Sequence, residues 1–590
     1  MKKRRQILCT FLSIAMAGTL LAGCGGTEGG VDKVAENQQS TLSSENTENS
    51  GITENTESSS AGESTEGQED SESPRISDEV ITLTVAGPSG ATASDWNSTL
   101  QFAEYEKRLG LKFDATTYSN EQWSSRVTLM MASDEMPDIL SLTSQTMTRG
   151  DVQKYANDGY LLDFSQYLDI MPNVKKAMED NPDWAKTITF DDGKIYGFTY
   201  LNNYGISNYY HYYLLSQAWL DNVGMDRPET LDDLYNVLKA FKEQDANGNG
   251  NPDDEIPMGM SSGRRRTELP IKWAFGMNTT DYVLAYMVDE AGNVGIWDTT
   301  ENNKEFLKYM NKLYSEGLIN QDAFIMDDTE LPNLMVNNQV GYCAGYGPAG
   351  NTKELQEKMQ WYGVVGFIQD GYNTTKSAVL EGNYSADFRL IANAETEYPE
   401  EIAKFVDYLF TEEGSLSASN GYEGVTFKYV DVDGYQIADH TELANEAGYD
   451  NAEEYRGKVI AINAFDLCSF PQGTIYDMLN NIDMAELTDI DSDCWAVATV
   501  NATRAAAIRA DDVTIMDRFP ILFYTEEETS ERTILVTDIR NYLETAKAQF
   551  ITGEMDIDTS WDSYIEKLNE MGLERLLEID QAAYDRYMSE

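Results

Sequence analysis

The chain has 590 residues, of which 101 are Asp or Glu and 43 are Lys or Arg, so its formal net charge at pH 7 is −58. Nucleic-acid binding requires Lys and Arg concentrated against phosphates, and this charge argues against it as a function. The two histidines, His211 and His440, are too few for a histidine-rich metal site or a histidine-based hydrolytic triad.

The first 24 residues have the pattern of an export signal. Four basic residues at positions 2–5 precede an apolar segment, Ile7 to Leu21, that is too short to span a membrane. The segment ends in Leu21-Ala22-Gly23-Cys24, which resembles the lipobox of bacterial lipoproteins. The resemblance implies that residues 1–23 are a cleaved signal peptide. It also implies that Cys24 carries acyl chains, palmitate among them, that anchor the protein at the outer face of the cell membrane. The alternative is an ordinary signal peptide with an incidental cysteine.

Residues 24–78 are predicted to form a disordered linker that starts at the lipidated cysteine. Ser, Thr, Glu, Asn and Gly dominate it, and 13 acidic residues face only Lys33 and Arg75. Such a segment cannot bury enough apolar surface to offset its ordering entropy, and its like charges extend it. We therefore expect residues 79–590 to fold at a distance from the membrane.

Strand and helix patterns alternate at the start of the folded part. The predicted elements are a strand at Val80–Ala86, a helix at Thr99–Leu109, a strand at Leu111–Ala115, a helix at Glu121–Met131 and a strand at Asp138–Leu142. This order predicts an α/β fold with a parallel sheet, in which ligands bind beyond the carboxyl ends of the strands. The length of residues 79–590 exceeds what one hydrophobic core usually holds, so two lobes are expected.

A series of short segments continues along the chain: Met136–Ile139, Tyr155–Asp163, Asp192–Phe198, Ala218–Gly224, Pro228–Leu234, Leu313–Asn320, Phe405–Phe410, Phe550–Gly553, Trp561–Tyr564 and Gln581–Arg586. Their order and spacing resemble family 1 extracellular solute-binding proteins, the lipoproteins of bacterial ABC sugar importers, and in particular the LplA-like branch. One departure is Ser216-Gln217, where many relatives carry a basic residue and an aspartate.

The resemblance implies a two-lobe, periplasmic-binding-protein-like fold with a hinge and a ligand cleft between the lobes. Each lobe is expected to be discontinuous in sequence, with crossovers near residues 200–215 and again in the carboxyl-terminal half. The implied function is that of a monomeric, extracellular, lipid-anchored protein that is not an enzyme. It captures a carbohydrate, expected to be an oligosaccharide, and delivers it to an ABC transporter permease. The alternatives are an exported glycoside hydrolase, which needs two suitably spaced carboxyl groups, and a surface adhesin that retains glycans.

One loop carries a calcium-binding pattern. Oxygen-bearing side chains at every second position from Asp245, with Gly250 at the sharp turn, match the first half of an EF-hand loop. Ile256 stands where an EF-hand has its closing glutamate, so Asp253 with Asp254 or Glu255 must close the site. The predicted ligands are Asp245, Asn247, Asn249, Asn251, Asp253 and Asp254. The family resemblance implies a structural Ca²⁺ here; the alternative is a polar turn cluster without metal.

The stock of 35 Tyr and 9 Trp suits a carbohydrate ligand, because flat rings stack on the C–H faces of sugars. Aromatic residues in loops are better candidates than those at core periodicity. The predicted ligand-binding residues are Trp96, Tyr204, Trp273 and Trp495. A single disulfide between Cys468 and Cys494 is left open, and the identity of the sugar is not specified by the sequence.

Overall fold

The computed structural model of the chain describes residues 75–89, 95–133, 135–143, 146–202, 212–262, 265–281, 283–327, 330–345, 357–379, 384–432, 434–449, 451–462, 464–474, 512–516 and 518–589. The strands are β1 (Ile81–Ser89), β2 (Leu111–Ser119), β3 (Ile139–Ser141), β4 (Phe198–Asn202), β5 (Tyr212–Ser216), β6 (Ile256–Gly259), β7 (Tyr286–Val288), β8 (Val294–Ile296), β9 (Val340–Gly345), β10 (Trp361–Gly363), β11 (Lys376–Val379), β12 (Tyr384–Ala392), β13 (Lys428–Val432), β14 (Tyr435–Asp439), β15 (Cys468–Ser469) and β16 (Val513–Met516).

The helices are α1 (Leu100–Leu109), α2 (Asn120–Ser133), α3 (Arg149–Asn157), α4 (Pro172–Asp180), α5 (Pro182–Ile188), α6 (Gln217–Val223), α7 (Leu231–Glu243), α8 (Leu269–Ala274), α9 (Glu301–Ser315), α10 (Glu330–Val336), α11 (Pro399–Leu409), α12 (Glu412–Ser419), α13 (Thr441–Glu446), α14 (Ala452–Val459), α15 (Glu526–Thr552), α16 (Ile557–Glu570) and α17 (Leu573–Ser589). None of the described helices is both long enough and apolar enough to cross a membrane.

The strand and helix pattern predicted for the first part of the fold is confirmed. Helix α1 starts where the Thr99 side chain accepts a hydrogen bond from the backbone N–H of Phe102. It ends at Gly110, whose φ of 75° is the left-handed conformation that glycine adopts without a Cβ clash. Strands β1 and β2 then pair in parallel along their whole length.

Six strands form the first sheet in the order β15-β4-β12-β3-β1-β2. Strand β12 runs antiparallel to both of its neighbours, β3 and β4, whereas the other pairings are parallel. Helices cover both faces of this sheet, and two hydrophobic clusters lie on its sides. The sheet draws its strands from residues 81–202, 384–392 and 468–469, so its chain is interrupted twice.

Four strands form the second sheet, in the order β10-β5-β9-β6. Its core is a separate and larger hydrophobic cluster that also contains buried residues of α15, α16 and α17. The chain leaves the first sheet at Asn202 and enters the second at Tyr212, within the predicted crossover. The fold therefore has two α/β lobes, each built around its own sheet.

A buried ion cluster joins α15 to the second lobe. Glu268 is fully buried, and its carboxylate accepts hydrogen bonds from Lys272 at 3.0 Å and from Lys547 at 2.6 Å. Burial alone would raise the pKa of Glu268, but the two lysines outweigh it and hold the pKa below its ordinary value. Helix α15 is thus fixed to the start of α8 by charge as well as by apolar packing.

Candidate ligand cleft and cation loop

The carboxyl ends of the parallel strands in the first sheet share one edge. Strand β4 pairs in parallel with β15, so Asn202 lies opposite Ser469 there. Antiparallel β12 begins at the same edge, where Tyr384 is paired with Leu201. Ligand sites in α/β sheets lie beyond such edges because the loops and helix starts converge on them.

Three side chains from three strands meet at this edge. The guanidinium carbon of Arg389, on β12, lies 5.8 Å from the ring centroid of Tyr200, on β4. The Tyr200 hydroxyl is hydrogen-bonded to the hydroxyl of Ser469, on β15. Asp466 precedes β15, and burial raises its pKa to about 6, although Arg389 and Arg456 oppose the shift. The edge is therefore rich in polar groups whose positions are set by strand pairing.

A cavity of about 500 Å³ includes residues of both lobes. Its polar walls are formed by Asp387 on β12, Thr279 and Asp281 after α8, and the carboxyl-terminal residues Arg518, Tyr524 and Arg532. Two acids and two guanidiniums place hydrogen-bond acceptors and donors side by side in this wall. Such paired donors and acceptors suit a neutral ligand with many hydroxyl groups.

Arg532 is held in this wall by buried partners. Its Nε donates to Asp580 at 2.7 Å, and its Nη2 donates to the Tyr286 hydroxyl at 3.0 Å. The Tyr524 hydroxyl also donates to Asp580, at 2.7 Å. Burial raises the pKa of Tyr524 well above its ordinary range, so this hydroxyl keeps its proton. The network fixes the guanidinium before any ligand arrives.

The structure corrects two of the predicted stacking residues. Trp96 and Trp273 each have 0 % exposed surface. The Trp96 ring packs so closely on Gly87 that any Cβ there would lie 2.1 Å from it. The Trp273 indole donates to the carbonyl of Thr279 at 3.0 Å, and its ring meets Tyr213 edge-on. Both rings pack hydrophobic cores, in different lobes, because each has neighbours on all sides.

The other predicted stacking residues, Tyr204 and Trp495, lie outside the described residues, as do the predicted lipidation site Cys24 and Cys494. Sequence reasoning missed Tyr200, Arg389 and Arg532. The sequence did contain one indication of these residues: each is a charged or amphipathic side chain inside an otherwise apolar strand or helix pattern. Arg389 within Tyr384–Ala392 is the clearest example.

The predicted calcium loop joins α7 to β6 and brings together most of its proposed ligands. The Asp245 carboxylate accepts from the backbone N–H groups of Asn249 at 3.0 Å and Gly250 at 2.8 Å. The Asp254 carboxylate accepts from the side-chain amides of Asn247 at 3.0 Å and Asn249 at 2.9 Å. Gly250 has a φ of 87°, the left-handed conformation that the sharp turn needs.

The end of this loop differs in detail from the predicted ligand set. Asp253 is exposed, and the Asn251 side chain accepts from its backbone N–H. Glu255, in contrast, has both carboxylate oxygens buried. Burial raises the pKa of Glu255; the backbone N–H groups of Glu255 and Asn247 oppose this rise, and the charges of Asp254 and Asp245 add to it. The negative charges of Asp245 and Asp254 therefore lie close enough to Glu255 to act on its carboxyl group.

Among the described residues, no group of three or more His, Cys, Asp or Glu side chains is arranged to hold a metal ion. The remaining oxygens that the loop supplies are amides and backbone carbonyls, which are hard donors that Ca²⁺ accepts. The buried Glu255 carboxylate, which lies within electrostatic reach of Asp245 and Asp254, adds a charged oxygen donor to these. The kinds of donor in this loop therefore match the oxygen chemistry of calcium, although the described carboxylates are not gathered into a formed metal site.

Two α/β lobes, each built around its own sheet, with a cavity lined by residues of both, are the architecture of the two-lobe periplasmic-binding-protein fold. Residues 101–445 match the family described as bacterial extracellular solute-binding protein. The chain belongs to this family.

Two similar proteins and one similar solved structure agree with this family assignment. The chain is 26% identical over 531 residues to the fructooligosaccharide ABC transporter substrate-binding protein FusA of Streptococcus pneumoniae. The aligned region covers 86% of this chain and 90% of FusA. It is 27% identical over 366 residues to lipoprotein LipO of Bacillus subtilis, covering 59% and 68% of the two chains. A solved structure of a FusA EF-hand mutant in complex with fructo-nystose has a TM-score of 0.66 and 21% identity, covering 86% of this chain and all of that one.

Proposed function

We propose that this protein captures an oligosaccharide outside the cell and delivers it to the permease of an ABC transporter. Membership of the extracellular solute-binding family is the observation that carries the proposal. The relationship to a fructooligosaccharide-binding protein and a cavity lined by both donors and acceptors support a neutral carbohydrate as the ligand. The protein acts by binding and closing, without covalent chemistry.

A carbohydrate screen tests this proposal. The mature protein should show a raised melting temperature with at least one member of a panel of neutral oligosaccharides, because a ligand that binds only the native state stabilises it. Chromatography of the same incubations should show the saccharides intact. Hydrolysis products would instead favour the exported glycoside hydrolase, and binding to insoluble glycan alone would favour the adhesin.

The proposed anchor is an acylated Cys24. The apolar segment before it supports export, and a lipoprotein relative supports lipidation. Acyl chains on a single cysteine hold a protein at the bilayer surface because each buried CH₂ group contributes to the transfer free energy. We expect one copy of the chain to act on the extracellular face of the cell membrane.

The proposed cofactor is a structural Ca²⁺ in the loop at residues 245–255. Asp245, Asn247, Asn249, Asp254 and Glu255 would hold it, with a backbone carbonyl of Asn251. When bound, the ion would neutralise the three carboxylates. Similarity to a FusA structure described as an EF-hand mutant supports this assignment. The loop has no part in contacting the sugar; it fixes the path of the chain from α7 into β6.

A further inference from the structure

Arg389 is an arginine with unused donors at the edge of the first sheet. It is half-buried on β12, and its Nε is buried without a hydrogen-bond partner. Among the described residues no carboxylate lies within ion-pair distance of its guanidinium. In a chain where 101 acidic residues face 43 basic ones, an unpaired arginine beside a polar sheet edge calls for an explanation. A buried donor without a partner destabilises a fold unless something bonds it.

The surroundings hold this guanidinium in place without using its donors. The Tyr200 ring lies beneath it, and the hydroxyl of Tyr200 is fixed by Ser469. A cation placed over a tyrosine ring is attracted by the ring face, which leaves the planar N–H groups free to bond elsewhere. The guanidinium is therefore oriented in advance, as a ligand contact needs to be.

The charges around Arg389 decide what kind of ligand group it suits. Asp387, two residues earlier on β12, lines the cavity shared by the lobes together with Arg518. Asp466 lies close enough to Arg389 for the two charges to interact, although they form no ion pair. Two nearby carboxylates offset the positive charge, so a ligand carboxylate would meet a field with little net attraction. Neutral hydroxyl groups would still gain the directional hydrogen bonds of the guanidinium fork.

We propose that Arg389 is a ligand-contact residue that donates paired hydrogen bonds to two adjacent hydroxyl oxygens of a neutral glycan. Tyr200 is its positioning residue, and Asp387 accepts from a neighbouring hydroxyl. This inference rests on the proposed function and adds to it the requirement that the neutral oligosaccharide present two vicinal hydroxyl groups to Arg389. Uronate-containing chains are disfavoured at this site.

Calorimetry on three variants tests the assignment. Arg389→Lys keeps the charge but loses the fork, and Arg389→Gln loses both; we expect affinity losses of about tenfold and about a hundredfold, respectively. The titrants are the neutral oligosaccharide that the unmodified protein binds most tightly in the panel and trigalacturonate. Arg456→Gln is the matched control, because it removes a charge that also acts on Asp466 while its own donors already bond Ser419 and Glu453.

The outcomes are separable. Unchanged affinity in both Arg389 variants would overturn the assignment while leaving the proposed function intact. An equal loss in Arg456→Gln would show a field effect and would also overturn it, and tighter binding of trigalacturonate than of every neutral saccharide would overturn the ligand class. Absence of binding by the unmodified protein would remove the proposed function itself. Melting curves of the ligand-free Arg389 variants establish that each variant is folded at the titration temperature, so that a loss of affinity is not a loss of folded protein.

Discussion

Replacing Glu255 by Gln should change the stability of this protein in opposite directions with and without calcium. In EDTA the Glu255 carboxyl group is buried and close to the charges of Asp245 and Asp254, so replacing it by a neutral amide should raise the melting temperature. With calcium the same carboxylate becomes a ligand. At a free concentration of about 100 times Kd, the ion stabilises the fold by about 2.7 kcal/mol, and much of this should be lost in Glu255→Gln.

Differential scanning fluorimetry in about 1 mM CaCl₂ and in EDTA gives the required four melting temperatures, with differences on the order of a few °C. Asp253→Asn is the matched control: it removes the same charge from the same loop, but from an exposed carboxylate. It should shift stability little in either buffer. A shift of the same sign in both buffers for Glu255→Gln, or a parent protein that ignores EDTA, would refute the calcium assignment.

Three further predictions concern the anchor, a buried acid and a core ring. Cys24→Ala should move the protein from the membrane fraction to the soluble fraction, because an unlipidated linker has no apolar hold; unchanged fractionation would contradict the lipobox interpretation. Asp466→Asn should stabilise the fold above pH 6 by at most about 3 kcal/mol and have little effect near pH 4. The sign follows because burial raises the pKa of Asp466 to about 6, so the folded state is penalised only as this carboxyl ionises with rising pH; a pH-independent gain in urea titrations would argue against this. Trp273→Ala should cost about 3–5 kcal/mol in denaturant unfolding without weakening glycan binding, whereas weakened binding at full stability would restore it as a ligand contact.

Local rules predicted the start of the fold well. Thr99 and Gly110 mark the ends of α1 because a side-chain cap and a left-handed glycine act within one turn, and both are visible in the sequence. Polar spacing likewise located the loop at residues 245–255, since its hydrogen bonds are made between near neighbours. Chain length predicted two lobes, and the family landmarks predicted how the chain passes between them, which no short-range pattern contains.

The cleft was harder to predict because it depends on distant parts of the chain. A tryptophan beside a polar run, such as Trp273, has the same local signature whether it faces a ligand or a core, and only packing against β5 decides it. Arg389 was missed because nothing in its own segment by itself marks it as a ligand contact. Its significance comes from pairing of β12 with β4, which brings it onto Tyr200 from 189 positions away. Both Asp253 and Glu255 could close the loop by their spacing. Burial distinguishes them, because the Glu255 carboxylate is buried and Asp253 is exposed, and spacing does not reveal burial.

Isothermal titration calorimetry of the ligand-free mature protein with neutral oligosaccharides tests the central claim most directly. The account predicts saturable heat with one site per chain and a Kd in the micromolar range or tighter, which corresponds to about −8 kcal/mol or more favourable. After each injection the signal should return to baseline, because binding ends at saturation. Heat that persists with time would show turnover, and no heat with any saccharide of the panel would contradict carbohydrate capture.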